Sequence, residues 1–173
     1  LIVLVADDPS MHSSQDEQDS RYYARFAQIP YVEPSNQQEA YDLTHFAFEL
    51  SERLHTPVLM RVTTRLAHSR AGVVTRESRP QNEINLCGNP KQFILLPANA
   101  RRQYVELIEK NVEFIKSSET SGNNKYIDGT DKSMGIIASG IAYNYLMENY
   151  PDRNCPYPVL KITQYPLPTA MIE

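Results

Sequence analysis

The chain opens on five consecutive apolar residues, Leu1-Ile2-Val3-Leu4-Val5, a run that predicts a strand buried on both faces of a parallel sheet. A polar stretch from Asp8 to Asp16 follows, and the next periodic segment predicts a short helix over Gln18 to Phe26. Tyr31-Val32-Glu33-Pro34 has the pattern of a short strand. Ser35-Asn36-Gln37-Gln38 has the Ser-x-x-Gln form of a capping box, and Leu43, Ala47, Leu50 and Leu54 then repeat on one helical face. Thr56-Pro57 ends that helix, and Val58 to Val62 predicts a further strand. Strand, helix, strand, helix, strand in this order implies an α/β fold with a parallel sheet covered by helices.

Periodicity fails between Ala71 and Gln92, where Gly72, Pro80, Gly88 and Pro90 punctuate a mostly polar stretch. A long connection of this kind is a linker or a functional loop, which divides the chain into 1–70, a linker at 71–92 and a second unit at 93–173. In that second unit Phe93 to Leu96 is apolar, and Asn99 is a candidate cap for a helix running through Ile115. Thr120 to Asp131, rich in Gly, Asn and Ser, predicts a loop. Met134 to Ala138 is strand-like, Ser139-Gly140 predicts a tight turn into a helix carrying Ile141, Tyr145 and Leu146, and Pro158 to Ile162 predicts another strand. The expected fold is therefore α/β, as two small parallel-sheet units.

The chain begins inside a predicted core strand and stops at Glu173 where a helix is starting, so it is expected to be part of a longer protein. Its 173 residues, 41 % hydrophobic and 22 % charged, suit a globular protein with a buried core. A net charge of -4 argues against a nucleic-acid binder held by phosphate contacts. No apolar run approaches the length of about 20 residues that crosses a bilayer. Asp7-Asp8-Pro9 directly after the first apolar run, with no basic segment before it, also argues against a signal peptide. Cys87 and Cys155 stand too far apart in sequence for a metal motif or a disulfide framework, which points to a reducing cytoplasm.

The densest polar block, Met11 to Arg21, follows the C-terminal end of the first strand, the side on which open α/β sheets bind ligands. It reads either as a ligand contact or as a solvated loop whose Asp16 and Glu17 complement a helix dipole. His12 beside Ser13 and Ser14 lacks the spatial roles of a catalytic triad. His45 and His55 read as surface residues, as do Arg101 and Arg102 at a helix start. The cluster Arg65, His68, Ser69 and Arg70 reads as a solvated loop, with a phosphate or an acidic partner as the alternative. Close packing is the favoured reason for Gly140, ahead of an anion at the turn. The tyrosines are assigned to the core and its boundary.

The block Val5-Ala6-Asp7-Asp8-Pro9-Ser10-Met11-His12-Ser13-Ser14-Gln15-Asp16-Glu17-Gln18-Asp19-Ser20-Arg21 closely resembles the α subunit of indolepyruvate ferredoxin oxidoreductases, which are thiamine-diphosphate-dependent 2-oxoacid oxidoreductases. The likeness continues through Tyr22 to Ala27, Glu33-Pro34-Ser35, Ala47 to Glu52 and Arg61 to Arg65. Pro97 to Arg101, Gly135 to Gly140 and Tyr165 to Pro168 fit the same family.

That resemblance implies that residues 1–70 form the C-terminal half of a thiamine-diphosphate pyrimidine-binding domain. Residues 93–173 would then be a truncated domain similar to the transketolase C-terminal domain. It implies a full enzyme that oxidatively decarboxylates indolepyruvate and other arylpyruvates to acyl-CoA. Thiamine diphosphate, magnesium and [4Fe-4S] clusters serve such an enzyme, and its partners are a β subunit, ferredoxin, the 2-oxoacid and coenzyme A. No catalytic residue is assigned within this chain, no cofactor is expected to bind it alone, and it is expected to be inactive and to self-associate. The resemblance places His12, Ser13, Gln15, Gln18 and Arg21 on the loop that faces cofactor and substrate. Arg21 is a candidate to pair with a substrate carboxylate or with Asp16 or Glu17, while Asp16, which adds negative charge near an anionic substrate, receives no binding role. The alternative is a non-catalytic α/β module for binding or subunit assembly.

Overall fold

The computed structural model describes residues Leu1–Glu173. Its first half alternates β1 (Ile2–Asp7), α1 (Ser20–Ala27), β2 (Tyr31–Val32), α2 (Gln37–Leu54), β3 (Val58–Thr63) and a single helical turn, α3 (Thr64–Ala67). β3 lies centrally, parallel to β1 from Ile2 opposite Val58 to Asp7 opposite Thr63, and parallel to β2 on its other side. α2 follows from its apolar stripe: Leu43, Ala47, Leu50 and Leu54 are all buried against Val32, Val58 and Met60. Each such large aliphatic side chain contributes about 1.5–3 kcal/mol on leaving water.

The capping signal lies one residue later than the sequence predicts. Asn36 is the cap, accepting from the Glu39 N–H, and Glu39 in turn accepts from the N–H and hydroxyl of Ser35. At the other end His55, at φ 49°, closes the helix in the left-handed conformation.

The second half supplies α4 (Pro97–Thr120), β4 (Lys125–Ile127), β5 (Ile136–Ser139), α5 (Gly140–Glu148), β6 (Val159–Ile162), β7 (Gln164–Tyr165) and α6 (Thr169–Ile172). β6 is central here, parallel to β5 and antiparallel to β4. Both sheets are mixed: the first has three parallel strands with β7 as an antiparallel edge, the second a parallel pair with β4 as an antiparallel edge. The two antiparallel strands escape sequence reasoning because each is only two or three residues long, one inside the Gly/Asn-rich loop and one beside Pro166. α4 also runs past Ile115 to Thr120, with Asn99 inside its first turn rather than capping it.

The halves interlock. β7 pairs antiparallel with β2, setting Tyr165 opposite Tyr31, and their rings stack with centroids 4.1 Å apart. Phe114 of α4 is fully buried in the core of the first sheet. Between the halves, residues 71–89 carry no helix or strand and run exposed beside α2, held by Arg76 to Asp42 at 2.7 Å and by the Val74 N–H to Gln38 at 2.8 Å.

β1 occupies an outer edge of its sheet, with Leu1 70 %, Val3 39 % and Leu4 64 % exposed, so within this chain it is not covered on both faces. Tyr22 and Tyr23 also face solvent rather than the core. No helix is long and apolar enough to cross a membrane.

Candidate functional site

The three parallel strands of the first sheet finish on one side, and their ends are charged. Arg61, inside the apolar run of β3, is 5 % exposed. A buried guanidinium needs partners, and it finds one on each neighbouring strand. Its Nε donates to Asp7 Oδ2 on β1 at 2.5 Å, and its Nη1 donates to Glu33 Oε1 just past β2. Burial disfavours the Arg61 cation more than any one partner favours it, but the bond to Asp7 and the charges of Glu33 and Asp7 together outweigh it and raise the Arg61 pKa.

Asp7 also accepts the N–H of Ser20 at 2.8 Å and the Ser20 hydroxyl, which fixes where α1 begins. Asp19 caps α1 and takes the Arg21 guanidinium on both oxygens, at 2.8 and 2.6 Å. That bond depresses the Asp19 carboxyl below its ordinary range. Arg21 therefore pairs with Asp19, not with Asp16 or Glu17, and its Nη1 stands 3.8 Å from Glu33 Oε2.

Asp8 organises the polar block. Its carboxylate accepts the Thr64 hydroxyl at 2.6 Å and the N–H groups of Ser13 and Ser14 at 2.6 and 2.8 Å. These bonds, Thr64 first, hold it far below the usual carboxylate range. The turn is tight: Ser10 and Met11 both have positive φ, 66° and 51°. His12 Nδ1 lies 2.7 Å from the Pro9 carbonyl and 3.4 Å from Asp8 Oδ1.

The opposite wall comes from the second half. The Ser139-Gly140 turn brings the start of α5 against Glu33, and a Cβ on Gly140 would fall 2.5 Å from Glu33 Oε1. Close packing is thus the reason for this glycine. Two adjoining cavities lie between the walls and share Pro9, Thr63 and Ile141. One, about 190 Å³, is lined by Gln18, Arg21, Glu33, Arg61 and Ser139 among others. The other, about 290 Å³, is lined by His12, Thr64, Arg65 and Tyr145 among others.

The structure brings Gln18 and Arg21 to the first cavity and His12 to the second. Ser13 is turned to Asp8, and Gln15 is exposed. Arg65 sits over the Tyr145 ring at 5.4 Å and lines the second cavity, yet it is exposed, as are His68, Ser69 and Arg70. Glu33 and Arg61 line the first cavity, with Asp7 bound to Arg61, and sequence reasoning singles out none of the three as a site residue. Their signal was a full charge inside or at the end of an apolar strand, which has to be paired. A larger hollow of about 400 Å³ between α1, α4 and β7 is lined by Tyr31, Ile115, Tyr165 and Leu167 among others, with no carboxylate, and holds no comparable chemistry. No three His, Cys, Asp or Glu side chains gather to hold a metal ion.

A second buried charge joins the halves. Lys161 of β6 donates to Ser35 Oγ at 2.9 Å and to Glu39 Oε1, with its ammonium 4.4 Å from the centre of the Tyr143 ring. Burial lowers the Lys161 pKa.

No protein-family model matches the chain. Among curated proteins it is 42 % identical over 176 residues to the indolepyruvate oxidoreductase subunit IorA of Methanothermobacter thermautotrophicus. It is 41 % identical over 177 residues to that of Archaeoglobus fulgidus and 42 % over 184 to that of Pyrococcus horikoshii. Each alignment takes in the whole of this chain and 28 % of the relative's length.

Proposed function

Because the chain belongs with the IorA subunits of indolepyruvate oxidoreductases, of which it spans 28 % of the length, we propose that its crevice forms part of the substrate and cofactor site of such an oxidoreductase. The full protein would oxidise indolepyruvate and other arylpyruvates to acyl-CoA, acting with a β subunit, ferredoxin and coenzyme A in the cytoplasm. The observation that carries this reading is the whole-chain likeness to IorA subunits, joined to a polar crevice at the strand ends.

Bound thiamine diphosphate would supply the carbanion chemistry and the electron sink for loss of carbon dioxide. What this chain offers is polar contact. Gln18 and Ser139 present neutral hydrogen-bonding groups to the cavity, and Arg21 presents a cation that Asp19 holds in place. Such groups suit the carboxylate or oxo group of a 2-oxoacid. The crevice has no cluster that fits magnesium or iron–sulfur clusters, so those are assigned to other parts of the subunit. On this reading residues 1–70 serve as half of a pyrimidine-binding domain and residues 93–173 as a transketolase C-terminal-like domain.

The test uses the full-length subunit produced with its β subunit. Coenzyme A-dependent reduction of ferredoxin by indolepyruvate, lost when thiamine diphosphate is withheld, supports the reading. No reduction with any arylpyruvate overturns it and favours the non-catalytic assembly module.

A further inference from the structure

His12 stands on the second cavity with one ring nitrogen committed and the other free. Nδ1 lies 2.7 Å from the Pro9 carbonyl oxygen. A carbonyl only accepts, so Nδ1 carries the ring hydrogen and Nε2 is left as a bare acceptor. Nε2 has no partner within the chain, and the side chain is 46 % exposed, so it is open to a molecule entering the crevice. Asp8 Oδ1 lies 3.4 Å from Nδ1. That carboxylate is kept ionised by the Thr64 hydroxyl and the Ser13 N–H, and its charge favours an imidazolium over a neutral ring.

We propose that His12 is the general base that takes the thiol proton of the acyl acceptor, coenzyme A. This rests on the arylpyruvate reading above and gives one of its steps to a residue. An arylpyruvate anion and a thiol become an acyl thioester, carbon dioxide, one proton and two electrons, which ferredoxin takes up; the proton released is the thiol's. At His12 the S–H bond breaks, the hydrogen bonds to Nε2, and sulfur keeps the electron pair with which it closes the C–S bond. The imidazolium then passes its proton to water at the exposed ring edge.

The neighbouring groups leave this task to His12. Arg65 from α3 and Tyr145 from α5 face the same cavity, and the Arg65 cation favours a thiolate there. In the adjoining cavity Asp19 is paired with Arg21 and Glu33 with Arg61, which leaves Glu17 as the one carboxylate outside an ion pair. A carboxylate is a weak base toward a thiol, a guanidinium has no site for a further proton, and a phenol keeps its own at neutral pH. Histidine is the side chain that ordinarily titrates near neutrality, as a general base working there must.

The experiment uses His12→Asn in the complete enzyme with its β subunit. Asparagine can keep a donor to the Pro9 carbonyl but has nothing in place of Nε2. At saturating coenzyme A and about pH 7, kcat for ferredoxin reduction is expected to fall by about a hundredfold or more. The deficit should shrink by about tenfold near pH 9, because a thiol, with a pKa of about 8.5 in cysteine, ionises there without help. Single-turnover release of carbon dioxide from indolepyruvate without coenzyme A should keep the unmodified rate, which also shows that the variant is folded. Unchanged kcat at pH 7 overturns the proposal. So does a deficit of equal size at both pH values, or an equal loss of carbon dioxide release. If the unmodified enzyme releases no carbon dioxide from any arylpyruvate, the underlying reading fails and this inference falls with it.

Discussion

Gly140, at φ 49°, lies so close to Glu33 that a Cβ would sit 2.5 Å from Oε1 and 2.8 Å from the carboxyl carbon. The contact joins the start of α5 to the end of β2, and so closes one wall of the crevice onto the other. Arg61 donates to the same Oε1, so Glu33 links β3 to the start of α5.

Gly140→Ala should therefore be costly twice over, through the left-handed backbone and through the clash. Strain of this kind runs to about 1–3 kcal/mol. Urea unfolding of the variant is expected to show a loss in that range. An unchanged midpoint would mean that α5 is free to shift from Glu33.

The Lys161–Glu39 pair gives an asymmetric prediction. The lysine side chain is 5 % exposed and the glutamate 23 %. Glu39→Gln strands a buried ammonium and should destabilise by about 2–3 kcal/mol. Lys161→Met removes the buried charge and leaves a carboxylate that reaches water and keeps its Ser35 bonds, so its cost should be smaller. Equal losses in thermal unfolding of the two variants would contradict this ranking.

Much of this architecture was legible in the sequence, and the misses have causes. The stripe Leu43, Ala47, Leu50, Leu54 located α2 because burial enforces its period. β3 followed from its apolar run, although Arg61 within it was not recognised as lining the crevice. One residue in a strand carries no periodic signal, and its partners Asp7 and Glu33 lie 54 and 28 positions away in sequence. The polar block was located correctly beyond β1, yet its internal assignment was not readable. Which of Ser13, Gln15 and Gln18 faces the cavity depends on Asp8 gathering the turn, a contact set by Thr64 just past the end of the neighbouring strand β3.

Asp8 supplies the pH dependence. Its folded-state pKa lies below the unfolded value, so its contribution is present above about pH 4 and is lost as pH falls through the lower folded pKa. Asp8→Asn should be destabilising at pH 6 and should narrow the difference between urea midpoints at pH 6 and pH 3. A gap as wide as that of the unmodified chain would dismiss Asp8 as a contributor to acid sensitivity.

The bare edge of β1 predicts association. Unpaired edge strands with exposed apolar side chains recruit other chains, and Leu1, Val3 and Leu4 meet that description. Sedimentation of the 173-residue chain should show self-association that weakens in Val3→Lys. A monomer at high concentration would refute it.

The central claim is that the crevice between the β1 and β3 ends and α5 contacts the reacting substrate, and Gln18 is its most direct probe. Gln18 lines the cavity beside Arg21 and takes no part in the buried ion network, so its loss should spare the fold. In the complete enzyme with its β subunit, Gln18→Ala should lower kcat by a factor equivalent to about 2–4 kcal/mol of barrier, at an unchanged melting temperature. Unchanged turnover of indolepyruvate with that same melting temperature would contradict the placement of the site.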